Sequence, residues 1–160
     1  MAKRHPDWVL HIWGVGDLRE ELEKQIEQMG MKEHVCMMGF TTEMGEVMSK
    51  GSLMVLASLG ESFSLVTLEA MSVGIPTVVY DCPGGISYVV KDGETGYLIP
   101  LHDEETFVER VCQLIENEDQ RRAMGMAGLR ESEKYKMDII IQRWMALFQE
   151  LLAKKRGTKT

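Results

Sequence analysis

Apolar and polar positions along this chain alternate between short continuous runs and helical stripes. Residues 8–13 form an aromatic-rich apolar run halted by Gly14-Val15-Gly16, the pattern of a buried strand ending in a tight turn. Leu18, Leu22, Ile26 and Met29 then recur at helical spacing; Asp17 and Glu20 predict a capping box at the start and Gly30 a stop. A second strand is predicted over 35–38 and halted by Gly39. A short helix over 43–49 and a third strand over 53–57 follow. Residues 64–73 predict a helix closed by Gly74, residues 76–80 a β-branched fourth strand, 86–90 a short helix, and 97–99 a fifth strand. Asp103 is placed to cap a helix carrying Phe107, Val111, Leu114 and Ile115; further helices are predicted over 119–130 and 138–153.

Short apolar strands alternating with helices indicate a parallel sheet covered on both faces. The expected fold is a single Rossmann-like three-layer α/β/α domain over residues 1–153. Its parallel sheet has about five or six strands, and residues 154–160 form a polar, frayed tail. The last helix carries a wide apolar stripe of Ile140, Ile141, Trp144, Leu147, Phe148, Leu151 and Leu152, expected to pack on the domain's own sheet. Left bare, that stripe would drive self-association.

Composition narrows the picture. With 160 residues, 44% of them hydrophobic, the chain can build one core but not two. A formal charge of −7 argues against a nucleic-acid binder, whose affinity rests on Lys and Arg. No apolar run approaches the roughly 20 residues of a membrane span, and the first residues do not read as a signal peptide. Cys36, Cys82 and Cys112 are odd in number and far apart, so they read as buried thiols of a reducing compartment, not a disulfide frame or a metal site.

In an open parallel sheet, ligands bind beyond the carboxyl ends of the strands. That rim carries Gly14-Val15-Gly16, Gly39-Phe40-Thr41, residues 60–64 and residues 81–85. Its glycines and helix starts suit an anionic small molecule such as a nucleotide, although glycines also end strands in any α/β protein. Arg19 stands where a dinucleotide fingerprint needs its third glycine, and no Walker lysine or nucleophile elbow is present. The helix after Gly60 reads as apolar almost all round, with Glu69 its only charge; a carboxylate buried there needs a partner. Glu61 lies eight residues earlier on the rim. Two carboxylates so placed suit a general acid/base pair, a metal site or acceptors for sugar hydroxyls, against the plainer reading of a structural pairing and a solvated loop acid.

Glu61 and Glu69, in Glu-Ser-Phe-Ser-Leu-Val-Thr-Leu-Glu-Ala-Met, resemble the Glu-x7-Glu signature of retaining glycosyltransferases of the GT-B fold, in the large family four. Four other segments resemble that family in order: residues 10–16, residues 35–40, Gly74-Ile75-Pro76-Thr77-Val78, and residues 92–98. The resemblance implies half of a GT-B fold, the C-terminal domain that binds a nucleotide sugar (UDP-sugar or GDP-sugar), with no cofactor and no essential metal. It implies that Glu61 faces the transferred hexose as the catalytic carboxylate and that Glu69 accepts hydrogen bonds from the ribose. Backbone N–H groups of Phe63, Ser64 and Leu65 would hold sugar hydroxyls and the β-phosphate; Gly39 and Phe40 would lie near the base, with Gly14 and Gly16 on the same rim. Ser62 and Ser64 stand where relatives often have glycine. An acceptor domain with a catalytic histidine, and an Arg and Lys that neutralise the diphosphate, belong to the family pattern but not to these 160 residues. The expected setting is cytoplasmic, peripheral to the inner membrane, in polysaccharide, lipopolysaccharide or glycolipid assembly. Competing readings are half of a UDP-sugar 2-epimerase and a non-catalytic nucleotide-binding or protein-docking module.

Overall fold

The computed structural model describes residues 1–157, with side chains as far as Lys155. Strands and helices alternate: β1 (Leu10–Trp13), α1 (Arg19–Gln28), β2 (Val35–Gly39), α2 (Met44–Ser49), β3 (Met54–Leu56), α3 (Leu65–Ser72), β4 (Thr77–Asp81), α4 (Ile86–Val89) and β5 (Gly96–Pro100). Helices α5 (Glu104–Glu116) and α6 (Glu118–Ser132), a 3₁₀ turn (Glu133–Tyr135) and α7 (Met137–Gly157) complete the chain. Every strand pairing is parallel, as the α/β pattern requires.

The strands do not form one sheet. They pair as β1–β2 and, separately, as β3–β4–β5. In the second sheet Val78 and Val79 of β4 point to opposite faces and both are fully buried. Val78 joins Tyr97, Ile99, Val111, Leu114 and Met124 beneath α5 and α6, while Val79 joins Cys82, Ile86 and Val90 on the other face. Helix α6 lies against the end of α3 at Gly125, where a Cβ would fall 2.0 Å from the Gly74 carbonyl oxygen, so no other residue fits without moving a backbone. Cys82 and Cys112 are buried, Cys36 is half-buried, and all three are free thiols.

Three local expectations change. Asp17 makes no capping box: α1 starts at Arg19 after an uncapped Leu18. Arg19 anchors this end instead, its guanidinium donating to the Met37 carbonyl at 3.0 Å and pairing with Glu23 at 2.8 Å. Asp103, by contrast, caps α5 through the Thr106 N–H, and Asn117 caps α6. The apolar stripe of α7 does not pack on the sheet. Ile139 and Ile140 are half-buried, and every position from Ile141 to Lys155 is exposed. The reason lies in the layers: α3 to α6 already cover both faces of β3–β4–β5, leaving none for α7. Helix α7 runs past the expected boundary at Ala153 to Gly157; residues 158–160 of the expected tail lie outside the described residues.

Candidate functional site

The rim residues assemble in two groups, one per sheet. Beyond β1 and β2, the Gly14 N–H donates to the Gly39 carbonyl at 2.8 Å, and both glycines hold positive φ. Gly16 and Phe40 are exposed beside them, Phe40 at 74%. Arg19 belongs to this group too: a Cβ on Gly39 would lie 3.7 Å from its guanidinium. In sequence, Arg19 stands out only as the residue that breaks a glycine fingerprint. Its spacing after Gly16 gave no hint that it would fold back onto the end of β2.

Beyond β3 and β4, Glu61 and Gly84 form a parallel bridge. The Glu61 N–H donates to the Pro83 carbonyl at 3.2 Å, and the Gly85 N–H donates to the Glu61 carbonyl at 2.7 Å. A Cβ on Gly84 would sit 1.8 Å from the Glu61 carbonyl oxygen, and one on Gly85 would sit 2.1 Å from that of Ser62. The glycine pair therefore lets two loops touch backbone to backbone and sets where the half-buried Glu61 stands. These glycines were visible as rim residues, but their grip on Glu61 is a contact that spacing does not reveal.

Helix α3 begins at Ser64, which adopts φ 60° and ψ 70° although it has a Cβ. Left-handed backbone at such a residue costs roughly 1–3 kcal/mol and persists only when its surroundings hold it. Here the Ser64 hydroxyl is buried and lies 2.8 Å from the Thr67 hydroxyl, which is also buried. Glycine would adopt this backbone conformation without that cost. Thr67 and Leu68 N–H groups both donate to the Ser64 carbonyl, so the N–H groups of Leu65 and Val66 ahead of them have no intrahelical acceptor. They and the positive end of the helix favour an anion at this point. The ring of Phe63 packs edge-on against Tyr135 at 5.5 Å, and the Tyr135 hydroxyl donates to the Tyr88 carbonyl, which pins the loop from behind.

Glu69 is not buried. Helix α3 hides only Thr67, Ala70 and Met71, while Leu65 and Glu69, one turn apart, share an exposed face. The demand for an internal partner disappears, and the carboxylate makes no ion pair among the described residues. Glu69 is thus solvated on the flank of the helix whose start lies beside Glu61.

Positive charge lies elsewhere. Arg4 donates to Glu109 and Glu116 on α5 at 2.8 and 2.7 Å, which raises its own pKa and holds Glu116 below the ordinary carboxylate range. An open hollow of about 520 Å³ between α1 and β2, lined by Glu20, Glu23, Lys24 and Lys32 among others, includes none of the rim residues. Among the described residues no group of three or more His, Cys, Asp or Glu is arranged to hold a metal ion.

Residues 1–131 match the sequence profile of the family described as glycosyl transferases group 1. An exopolysaccharide phosphotransferase of Streptomyces coelicolor is 34% identical over 94% of this chain, which spans 16% of that protein. A TarM variant from Staphylococcus aureus, solved with fondaparinux, α-GlcNAc-glycerol and UDP, superposes with a TM-score of 0.84 at 27% identity. The match covers 92% of this chain and 30% of TarM. The solved C-terminal domain of LpcC, a group 1 protein from Francisella tularensis, shares the fold at TM-score 0.72 and 24% identity. That match covers 85% of this chain and 74% of the domain. This chain spans less than half the length of the curated relatives it matches.

Proposed function

The chain belongs to the glycosyl transferases group 1 family, and from that premise we propose that it is the donor-binding half of a retaining hexosyltransferase. Its fold is one Rossmann-like half of a GT-B enzyme. The donor is a UDP-sugar or GDP-sugar, and the acceptor a growing polysaccharide, lipopolysaccharide or glycolipid on the cytoplasmic side of the membrane. No helix among the described residues is long and apolar enough to cross a membrane.

The observation that carries the reading is the start of α3. Two N–H groups without intrahelical acceptors lie between Glu61, held by the Gly84–Gly85 backbone, and the exposed Glu69. A diphosphate at the helix start would meet the Phe63, Ser64 and Leu65 amides and the positive end of the helix. The transferred hexose would lie toward Glu61, and the ribose hydroxyls would donate to Glu69, whose solvated carboxylate is free to accept them. Gly14, Gly16, Gly39 and Phe40 would border the base. As the sugar–phosphate bond breaks, the oxygen of the departing diphosphate gains charge, and fixed amide donors stabilise it without a metal. The remaining positive charge would come from an Arg and a Lys upstream of β1 in the family pattern, and the acceptor site and its histidine from the other half of the enzyme.

Affinity in this chain alone is then limited. Each charge-assisted hydrogen bond contributes roughly 1.5–3 kcal/mol. Lacking two cationic partners for the diphosphate would cost about 2–5 kcal/mol. A calorimetric titration with UDP, GDP and UDP-sugars should therefore give weak binding, further weakened by Glu69→Ala, and no sugar transfer. Sub-micromolar affinity would overturn this account. In the full-length enzyme Glu61→Ala and Glu69→Ala should each sharply reduce turnover; wild-type rates in both would remove the site assignment.

A further inference from the structure

Arg19 is held through two of its three side-chain nitrogens. Its Nε lies 2.8 Å from the Glu23 carboxylate, and its Nη2 donates to the Met37 carbonyl at 3.0 Å. Glu23 stands one turn further along α1 and Met37 lies in β2, so the guanidinium is clamped between helix and strand. The third nitrogen, Nη1, donates to nothing among the described residues. It faces the bare side of Gly39, where a Cβ would stand 3.7 Å from it and meet no other atom within 4 Å beyond its chain neighbours.

The ground in front of this nitrogen is open and flat. A Cβ at Gly14 or Gly16 would also meet nothing within 4 Å. Phe40, directly after Gly39, leaves 74% of its surface exposed, and an aromatic face of that kind suits stacking on a planar ring. A guanidinium only donates, so whatever approaches Nη1 must present an acceptor. The Glu23 carboxylate already balances the charge of Arg19, so a phosphate gains little there beyond a hydrogen bond, and a neutral carbonyl suits the place equally well. Because Nε and Nη2 are fixed, Nη1 is oriented before any ligand arrives.

Resting on the donor-binding reading, we infer that Arg19 selects the base of the donor nucleotide. Its Nη1 donates to the exocyclic carbonyl of uracil or guanine while the ring lies against Phe40. Cytosine and adenine carry an amino group at the corresponding position, so the same nitrogen would there face another donor and be left unpaired. Clamping the guanidinium from α1 and β2 thus turns a helix-end anchor into a reader of one atom on the base.

The test is a titration of the full chain with UDP against CDP and with GDP against ADP, followed by chemical shifts. Each pair differs in the base alone. In at least one pair the carbonyl base should bind about tenfold more tightly or better, the effect of one hydrogen bond from a charged donor. Arg19→Lys keeps a cation for Glu23 but has no planar fork, and should bring that ratio within about twofold of unity by weakening the carbonyl base alone. The ratio does not depend on how much of a variant is folded, so an anchoring role by itself would not move it. Equal binding within both pairs, with Glu69→Ala still weakening every nucleotide, would overturn the role of Arg19 and leave the donor-binding reading standing. Loss of both members of a pair by the same factor in Arg19→Lys would reduce Arg19 to an anchor and overturn the inference as well. Binding of none of the four nucleotides would overturn both proposals together.

Discussion

Strands β1 and β4 come from the same kind of sequence, a short apolar run ended at a rim loop, and meet opposite fates. Thr77, Val78 and Val79 of β4 are fully buried, whereas no residue before Ser64 is buried. Strand β4 has a parallel neighbour on each edge and helices over each face. Strand β1 has one neighbour, and α1 beside it buries nothing. The contrast teaches that burial of a parallel strand is set by the number of edges and faces the topology closes around it, since the side chains of β1 are no less apolar.

Truncating one side chain in each region gives the largest separation. Leu114 is fully enclosed beneath β4 and β5. Leu114→Ala should cost about 2–5 kcal/mol, the transfer term plus the cavity left behind. Ile12→Ala in β1 removes a half-exposed side chain and should cost about 1 kcal/mol or less. Urea unfolding of both variants measures the difference. Equal losses would mean that β1 is as well supported as β4 and would remove the comparison.

The same contrast marks what was legible in the sequence. Element type was readable throughout, because a run such as Thr77-Val78-Val79-Tyr80 or the Phe107-Val111-Leu114 stripe carries its own periodicity. The cap at Asp103 was equally local, a side chain meeting an N–H three residues on. The cap assigned to Asp17 failed because Arg19, reaching to Met37, settled that helix end through a contact 18 residues away. Glu69 was misplaced because an apolar composition does not say which side of α3 a neighbour covers. The break between the two sheets was invisible, since each strand looks complete alone and only pairing shows an edge left open. At the site, Glu61 and Glu69 stood out by type and spacing, whereas the Gly84–Gly85 clamp exists only where two loops meet.

Helix α7 extends the comparison to a region that is exposed at every position from Ile141 to Lys155. Trp144 and Phe148 are about half exposed and contact one another at 5.6 Å between ring centroids. Because folding buries so little of them, Trp144→Ser with Phe148→Ser should change unfolding stability by less than about 0.5 kcal/mol, the ordinary range for surface changes. The pair should instead alter association. Sedimentation of the wild-type chain should depend on concentration, and the double variant should not. A wild-type monomer at every concentration would argue against an exposed stripe.

The smallest effects should come from ion pairs, and they too separate the regions. Hydrogen bonds from Lys134 and Lys91 hold Glu131 below its ordinary pKa, within the well-packed half on α6. Arg4 does the same to Glu116, tying the first residues to α5. A carboxylate whose pKa is lowered by folding stabilises the native state above its unfolded value, near 4.5 for both groups, and loses that contribution as pH falls through the folded value. Stability should thus decline below about pH 4.5. Glu131→Gln should lower the unfolding midpoint at pH 7 and flatten the acid limb, because Gln neither pairs as strongly nor titrates. Glu116→Gln should leave that midpoint nearly unchanged and instead speed amide exchange around Trp8, whose ring lies under Arg121 at 5.4 Å. If Glu116→Gln shifted the midpoint as far as Glu131→Gln, the first residues would be part of the cooperative core rather than an arm laid against it.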